Sequence, residues 1–176
     1  YLTAFHEATR RAAENGDPKA MTLLGELYAN GLGVPHDEQK AAQWYALAAE
    51  RGDREAMFAL GLYRLGGRGG PRDREAGIAL LSKAARRGHV AASHNLALLY
   101  LEGTLVPQDV GRAVELLTAA AEAGSPDSQY ALALLYKEGR GVPRDPAKAA
   151  QLLGSAARAG NIDAQVEYAI ALFNGD

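Results

Sequence analysis

The sequence contains no cysteine, so it forms no disulfide, binds no zinc through thiolates and has no cysteine nucleophile. No apolar run approaches the roughly 20 residues that a membrane-spanning helix needs, and no signal peptide is visible. There is no large excess of either charge: the formal net charge is −2, which favours neither nucleic acid nor an anionic membrane as partner. β-Branched residues and Phe are also scarce, while alanine and leucine abound, and this composition favours helix.

Glycine, proline and aspartate recur at a fixed spacing of 36 residues, which is typical of a repeat protein. One glycine series is Gly16, Gly52, Gly88, Gly124 and Gly160. A second glycine series is Gly31, Gly67, Gly103, Gly139 and Gly175. Two further series in the same register are Pro35, Pro71, Pro107, Pro143 and Asp37, Asp73, Asp109, Asp145. Four columns without a slip predict one structural unit that is copied along the chain.

Each unit reads as a helix–turn–helix. Asp17 and Pro18 predict the start of a first helix (helix A), since Asp caps helix N-termini and Pro suits the first helical position. Gly31 ends helix A, Asp37 caps a second helix (helix B), and Gly52 ends it. The predicted domain is a single solenoid, 1–176, made of helix B of a preceding repeat (1–15), full repeats 16–51, 52–87, 88–123 and 124–159, and helix A of a fifth repeat (160–176). Because both ends are half-repeats and residue 1 is not Met, we expect the natural protein to continue.

A column of small residues indicates where helix A crosses its neighbour closely. Its members are Gly25, Gly61, Ala97, Ala133 and Ala169. Large apolar residues flank this column, and a single pair of such helices cannot bury them alone, so stacking of repeats is required.

The repeat resembles the Sel-one-like repeat (SLR) family, a relative of the tetratricopeptide repeats. The first full repeat carries the resemblance through Leu24-Gly25-x-x-Tyr28, Gly31-Leu32-Gly33-Val34-Pro35-x-Asp37 and Lys40-Ala41-x-x-Trp44-Tyr45. The second repeat departs from the pattern with Arg64 at the Tyr position and Gly70 at the Val position, and the third has Leu105 where Gly is usual. We therefore expect differently shaped turns there.

The resemblance implies an all-α, right-handed α-solenoid (αα superhelix) of 36-residue helix–turn–helix repeats that acts as an adaptor for a protein or peptide partner. It favours a bacterial periplasm or cell envelope and leaves the cytoplasm open. It brings no catalytic residue. Cysteine-rich members of the family were linked to β-lactam binding, but this chain has no cysteine that the link could be carried over to. Two alternatives stay open: self-association through the open repeat ends, and a cell-wall or β-lactam hydrolase.

By analogy with tetratricopeptide arrays, helix A lines the concave surface, and its outward columns are the predicted partner-binding residues. They are Phe58, Leu62, Leu65, His94, Leu98, Leu101, Tyr130, Leu134 and Lys137. These residues predict an apolar groove for an extended segment or an amphipathic helix. The alternative, which the usual fate of apolar helix stripes favours, is that neighbouring A helices bury the columns.

A second candidate surface is basic. Between residues 64 and 87, seven basic residues stand against two acidic ones. Its arginines are Arg64, Arg68, Arg72, Arg74, Arg86 and Arg87. The cluster suits an acidic partner, although exposed charge runs are usually just solvated. Nucleic acid is not expected because no aromatic platform is interleaved.

The sequence predicts no catalytic, cofactor or metal site. His89 and His94 are five apart, not the three or four that two ligands on a helix need, so both are interpreted as surface or packing histidines. The glycine-rich turns lack the Lys-Ser/Thr ending of a phosphate loop. The periodic aspartates are helix caps first.

Overall fold

The computed structural model describes residues 2–175, which form ten α-helices joined by short loops and contain no strand. The helices are α1 (Leu2–Glu14), α2 (Pro18–Asn30), α3 (Glu38–Glu50), α4 (Arg54–Gly66), α5 (Arg74–Arg86), α6 (Val90–Glu102), α7 (Val110–Glu122), α8 (Pro126–Glu138), α9 (Pro146–Arg158) and α10 (Ile162–Asn174). Tyr1 and Asp176, the outermost residues of the predicted half-repeats, lie outside the described residues. No described helix combines the length and the apolar character that crossing a membrane requires.

Capping residues set the helix ends, as predicted. The Asp17 carboxylate accepts hydrogen bonds from the backbone N–H groups of Lys19 and Ala20, and Pro18 opens α2. Gly31 follows α2 with a φ of 63°, the left-handed conformation that glycine adopts at least cost. The predicted starts and ends of α2 and α3 are confirmed.

Each long loop between helix A and helix B closes with the same backbone hydrogen bond, from the N–H of the capping aspartate to a carbonyl nine residues earlier. The four bonds are Asp37 to Tyr28 (3.0 Å), Asp73 to Arg64 (2.8 Å), Asp109 to Tyr100 (3.0 Å) and Asp145 to Tyr136 (2.9 Å). Gly33, Gly69 and Gly141 have positive φ inside these loops, whereas no described residue other than glycine does. The loop with Leu105 therefore has a different backbone, as expected from that departure, while the second loop keeps the usual glycine conformation.

The helices are grouped in two compact units, one ending at His89 and the other beginning at Val90. In each unit a helix packs against its neighbours in the sequence. In the first unit a Cβ on Gly25 would lie 2.7 Å from Cε1 of Tyr45, so this close crossing of α2 and α3 needs glycine. In the second unit Ala97 and Leu117 are fully buried in the corresponding positions. The predicted joining of all repeats into one domain stays a prediction.

Candidate partner-binding surface

An open groove lies in the second unit, on the A helices. Its volume is about 450 Å³, large enough for several side chains of a bound segment. The lining residues come from α6, α8, the loop after α8 and the start of α10. They are His94, Leu98, Leu101, Asp127, Tyr130, Ala131, Leu134, Leu135, Glu138, Arg140, Asn161 and Asp163. Five of the nine predicted partner-binding residues are thus brought together here.

The floor of the groove is apolar and accessible. Leu98 is 36% exposed, and Leu101 and Leu134 are half-buried. None of the nine predicted residues is fully buried. Leu96 on the same helix is completely buried, which distinguishes the core side of α6 from its groove side. The interpretation of these columns as buried core therefore does not describe the groove.

Hydrogen bonds fix the polar side chains at the groove. His94 Nδ1 lies 2.8 Å from the hydroxyl oxygen of Ser128, a fully buried residue. Burial lowers the pKa of His94, and the nearby Asp127 carboxylate opposes that shift. The Tyr130 hydroxyl donates to Glu167 Oε1 at 3.1 Å. Burial first, and then this hydrogen bond, raises the pKa of Tyr130, so its hydroxyl stays protonated at neutral pH.

Acidic residues line the rim, and the sequence analysis missed them. Asp127, Glu138 and Asp163 line the groove, with Arg140 as the cation among the lining residues. The side-chain amide of Asn161 donates to Asp127 at 2.9 Å. From residue 90 onward the sequence has 6 basic and 10 acidic residues, so the groove lies in the acidic half of the chain. Neighbouring A helices are one repeat apart in the sequence. The spacing of 36 residues between Asp127 and Asp163 is the signal that would have indicated this rim.

The predicted residues of the first unit have separate surroundings. Phe58 stacks on the His89 ring with 4.5 Å between centroids, and His89 Nε2 lies 2.7 Å from Glu55 Oε2. His89 is buried, so its role as a packing histidine is confirmed. Leu62 is exposed. Leu65 packs against Gly77 of α5, so closely that a Cβ on Gly77 would lie 2.7 Å from Leu65 Cγ. Within residues 2–175 no group of His, Asp and Glu is arranged to hold a metal ion.

An acidic cluster lies beside these residues, at the contact of α2 with the start of α4. The Thr22 hydroxyl donates to Asp53 Oδ2 at 2.6 Å. Burial raises the pKa of Glu26, and the carboxylates of Glu55 and Asp53 raise it further.

The arginines of the predicted basic surface have different surroundings. Arg68 donates to Glu38 Oε1 through Nε (3.0 Å) and Nη2 (2.9 Å). Arg72 and Arg87 donate to backbone carbonyls. Arg74 begins α5 and Arg86 ends it, which separates their backbones by about 18 Å at 1.5 Å per residue. Arg64 lines a pocket against α3.

The remaining predicted residue, Lys137, is exposed on α8. Its Nζ lies 3.8 Å from Glu167 Oε2, the carboxylate that also accepts from Tyr130. This pair links α8 to α10 at one side of the groove. Exposed ion pairs of this kind contribute little to stability.

Comparisons with known proteins agree with this architecture. The Sel1 repeat family model matches residues 18–53, 54–89, 90–125 and 126–161. The crystal structure of a Sel1 repeat protein from Oxalobacter formigenes is 34% identical with a TM-score of 0.92, covering 100% of this chain and 50% of that one. A protective antigen of uropathogenic Escherichia coli with an SLR fold is 34% identical with a TM-score of 0.93, covering 99% of this chain and 38% of that one. No curated protein sequence matches the chain.

A more distant structure shares the fold alone. Helicobacter pylori cysteine rich protein B is 23% identical with a TM-score of 0.58, covering 73% of this chain and 92% of that one. The present chain spans half or less of the length of the two 34% identical proteins. Sel1 repeat proteins generally mediate protein–protein interaction, and their scaffold is typically non-catalytic. With four matched repeats and ten helices over residues 2–175, this chain belongs to the Sel1 repeat family and is an all-α repeat solenoid.

Proposed function

We propose that this chain is a non-catalytic adaptor that binds a segment of a partner protein in the groove formed by α6, α8 and the start of α10. The observation that carries the proposal is the accessible apolar floor, with Leu98 36% exposed in a groove of about 450 Å³. Apolar surface that is left open and rimmed by polar groups is typical of interaction sites. Removing one leucine side chain of a partner from water there contributes roughly 1.5–3 kcal/mol.

The charges of the rim define the partner further. Asp127, Glu138 and Asp163 outnumber the single lining cation, Arg140. A segment that carries Lys or Arg next to its apolar anchors complements this rim, whereas an acidic segment is repelled. The expected occupant is therefore a short amphipathic segment, extended or helical, with apolar anchors and basic flanks. Phe58, Leu62 and Leu65 of the first unit remain predicted contacts for the same class of partner.

A hydrolase is the less favoured alternative. Ser128 and His94 form a Ser–His contact at the groove. Asp127 is adjacent to Ser128 in the sequence, and its charge raises the pKa of His94 against the effect of burial. However, Ser128 is fully buried, so a substrate carbonyl has no access to its hydroxyl. His94 uses Nδ1 for this hydrogen bond and lies on the groove side, which suits the positioning of α8 against α6.

Self-association is the second alternative, and α10 supports it. Val166 (55% exposed), Ile170 (54%) and Phe173 (91%) share one face of this helix. A second copy could cover that face, whereas pairing with α1 of a second copy is opposed by Phe5. This residue stands where α3 and α7 have the buried Ala41 and Ala113, and its ring prevents a close crossing. A molar mass in solution that is constant with concentration and equals one chain would exclude self-association.

The test is a peptide-display selection with the chain as bait, followed by calorimetric titration of enriched peptides. The proposal expects peptides with apolar anchors beside Lys or Arg, and an affinity that Leu98→Asp lowers at least tenfold. Leu47→Asp is the matched control, because Leu47 is 44% exposed on α3, a helix that contributes no lining residue to the groove. Equal affinity of the two variants, or enrichment of acidic peptides, would contradict the proposal.

A further inference from the structure

A second concave site lies in the first unit, between α3 and the loop that follows α4. Its volume is about 400 Å³. The lining residues are Gln39, Ala42, Gln43, Ala46, Arg64 and Gly69. Gln39 and Gln43 are four apart and so share one face of α3. The pocket thus combines two side-chain amides and one guanidinium above a floor of alanine methyl groups.

The pocket exists because three apolar side chains are missing where the first and second repeats meet. In the second unit, Tyr136, Val142 and Val114 pack against a buried apolar cluster. Their counterparts 72 residues earlier are Arg64, Gly70 and Ala42. Two valines are replaced by smaller residues, and the tyrosine by a cation. The filled apolar contact between the third and fourth repeats therefore becomes an open, positively charged pocket between the first and second.

Among the described residues, 2–175, the Arg64 guanidinium has no partner of its own. In the other full repeats, the tyrosine at this position holds a cation of helix B above its ring. The pairs are Lys40 over Tyr28 (5.4 Å), Arg112 over Tyr100 (5.5 Å) and Lys148 over Tyr136 (5.1 Å). In the second repeat the helix-B position is Ala76, so the pair is absent.

Arg64 is half-buried, and within residues 2–175 its guanidinium makes no hydrogen bond or ion pair. Its nearest arginine neighbours on the loop differ in this respect. Arg68 is paired with Glu38, and Arg72 donates to the Leu65 carbonyl. A partly buried cation without a partner is costly, so an anion that pairs with it gains more than one at an exposed arginine.

We propose that this pocket binds a carboxylate, supplied by an aspartate or glutamate side chain of a partner protein. The planar guanidinium of Arg64 matches a carboxylate through two parallel hydrogen bonds, and the amides of Gln39 and Gln43 donate to the remaining lone pairs. One cation balances one carboxylate, whereas a phosphate monoester of nearly two charges is left half-neutralised. Glu38, on the same helix as Gln39 and Gln43, is already paired with Arg68.

The experiment is an NMR titration that follows the Arg64 Nε–Hε signal and the side-chain amides of Gln39 and Gln43. The probe is N-acetyl-glutamic acid α-amide, with N-acetyl-glutamine α-amide as the neutral isostere. The proposal expects saturable shifts with a dissociation constant on the order of millimolar for the acid, and none for the amide.

Arg64→Tyr is the decisive variant because it restores the residue found at Tyr28, Tyr100 and Tyr136. It is expected to keep the melting temperature and to weaken binding of the acid at least tenfold. Arg86→Gln removes the same charge at the far end of α5 and is expected to keep binding. Unaltered binding in Arg64→Tyr, equal loss in Arg86→Gln, or inorganic phosphate binding more tightly than the acid would each overturn the carboxylate assignment.

Discussion

The close crossing of α2 and α3 gives a quantitative test of how the repeat is packed. Substituting Gly25 with Ala puts a methyl group 2.7 Å from Cε1 and 2.8 Å from Cδ1 of Tyr45. The tyrosine ring cannot retreat, because it is 4% exposed and meets Tyr63 edge-on at 5.5 Å between centroids. Overpacking of this kind costs about 1–3 kcal/mol.

The same substitution also has a favourable effect that must be separated out. Alanine restricts the unfolded chain more than glycine, which stabilises a helix by about 0.4–1 kcal/mol. Gly66→Ala measures this contribution in the same unit, since a Cβ at Gly66 meets nothing closer than Arg68 Cγ at 3.8 Å. The difference between the two variants is therefore the overpacking cost itself, and Gly25→Ala is expected to be about 1–3 kcal/mol less stable than Gly66→Ala.

Urea unfolding followed by far-ultraviolet circular dichroism provides the measurement, with the slope checked for constancy. A rescue adds a second readout: Tyr45→Leu recreates the pair that Ala97 and Leu117 form in the second unit. The double variant should recover most of the loss, as a positive coupling in a double-mutant cycle. If Gly25→Ala is as stable as Gly66→Ala, the glycine is not required by the helix crossing and the packing argument is wrong.

Three further predictions concern charge and burial. His94 has a lowered pKa when folded, so the unfolded chain takes up the proton first, and stability should fall as pH drops through about 6.5; His94→Gln should lose less between pH 7 and pH 5 in thermal melts. Glu26 has a raised pKa, so its charged form is disfavoured when folded; Glu26→Gln should raise the melting temperature at pH 7, and the gain should shrink as acid protonates the wild-type carboxyl. Leu96→Asp should cost several kcal/mol because Leu96 is fully buried, whereas Leu98→Asp should cost less than about 1 kcal/mol by urea unfolding; equal losses would make the floor of the groove part of the core.

The repeat architecture could be predicted from the sequence because its signals are local. Asp17, Pro18 and Gly31 define the ends of α2 through hydrogen bonds to backbone groups a few residues away. The small residues at Gly25 and Ala97 also indicated the close crossing, since few other causes keep a helical column so small. A helix terminus is therefore readable from one repeat alone, whereas the close crossing is readable from the same position in successive repeats.

The exposure of the predicted groove residues could not be read in this way. Leu96 and Leu98 are two apart on α6, yet one is buried and the other is open to solvent. Which side of a helix faces its neighbours depends on the angle between successive repeats, and the sequence pattern does not give that angle. Periodicity located the apolar columns but left their burial open.

Contacts between repeats were missed for a related reason. His94 with Ser128, and Asp127 with Asn161, are 34 residues apart, and neither residue pair forms a motif by itself. The pocket at Arg64 was visible only as a departure from the repeat pattern. Comparing each repeat position with its copies, as for Arg64 and Tyr136, is the step that converts such departures into structural expectations.

Site-specific photocross-linking is the direct test of whether the groove of the second unit binds a partner protein. A photoreactive phenylalanine analogue is introduced in cells that make the protein, either at Leu134, which lines the groove, or at Leu47 on α3, a helix B that does not line it. The Leu134 probe is expected to capture a partner through a segment with apolar and basic residues, and the Leu47 probe is not. Capture of the same partner with equal yield at Leu47, or capture at Leu134 that persists when Leu98→Asp is added, would contradict binding in the groove.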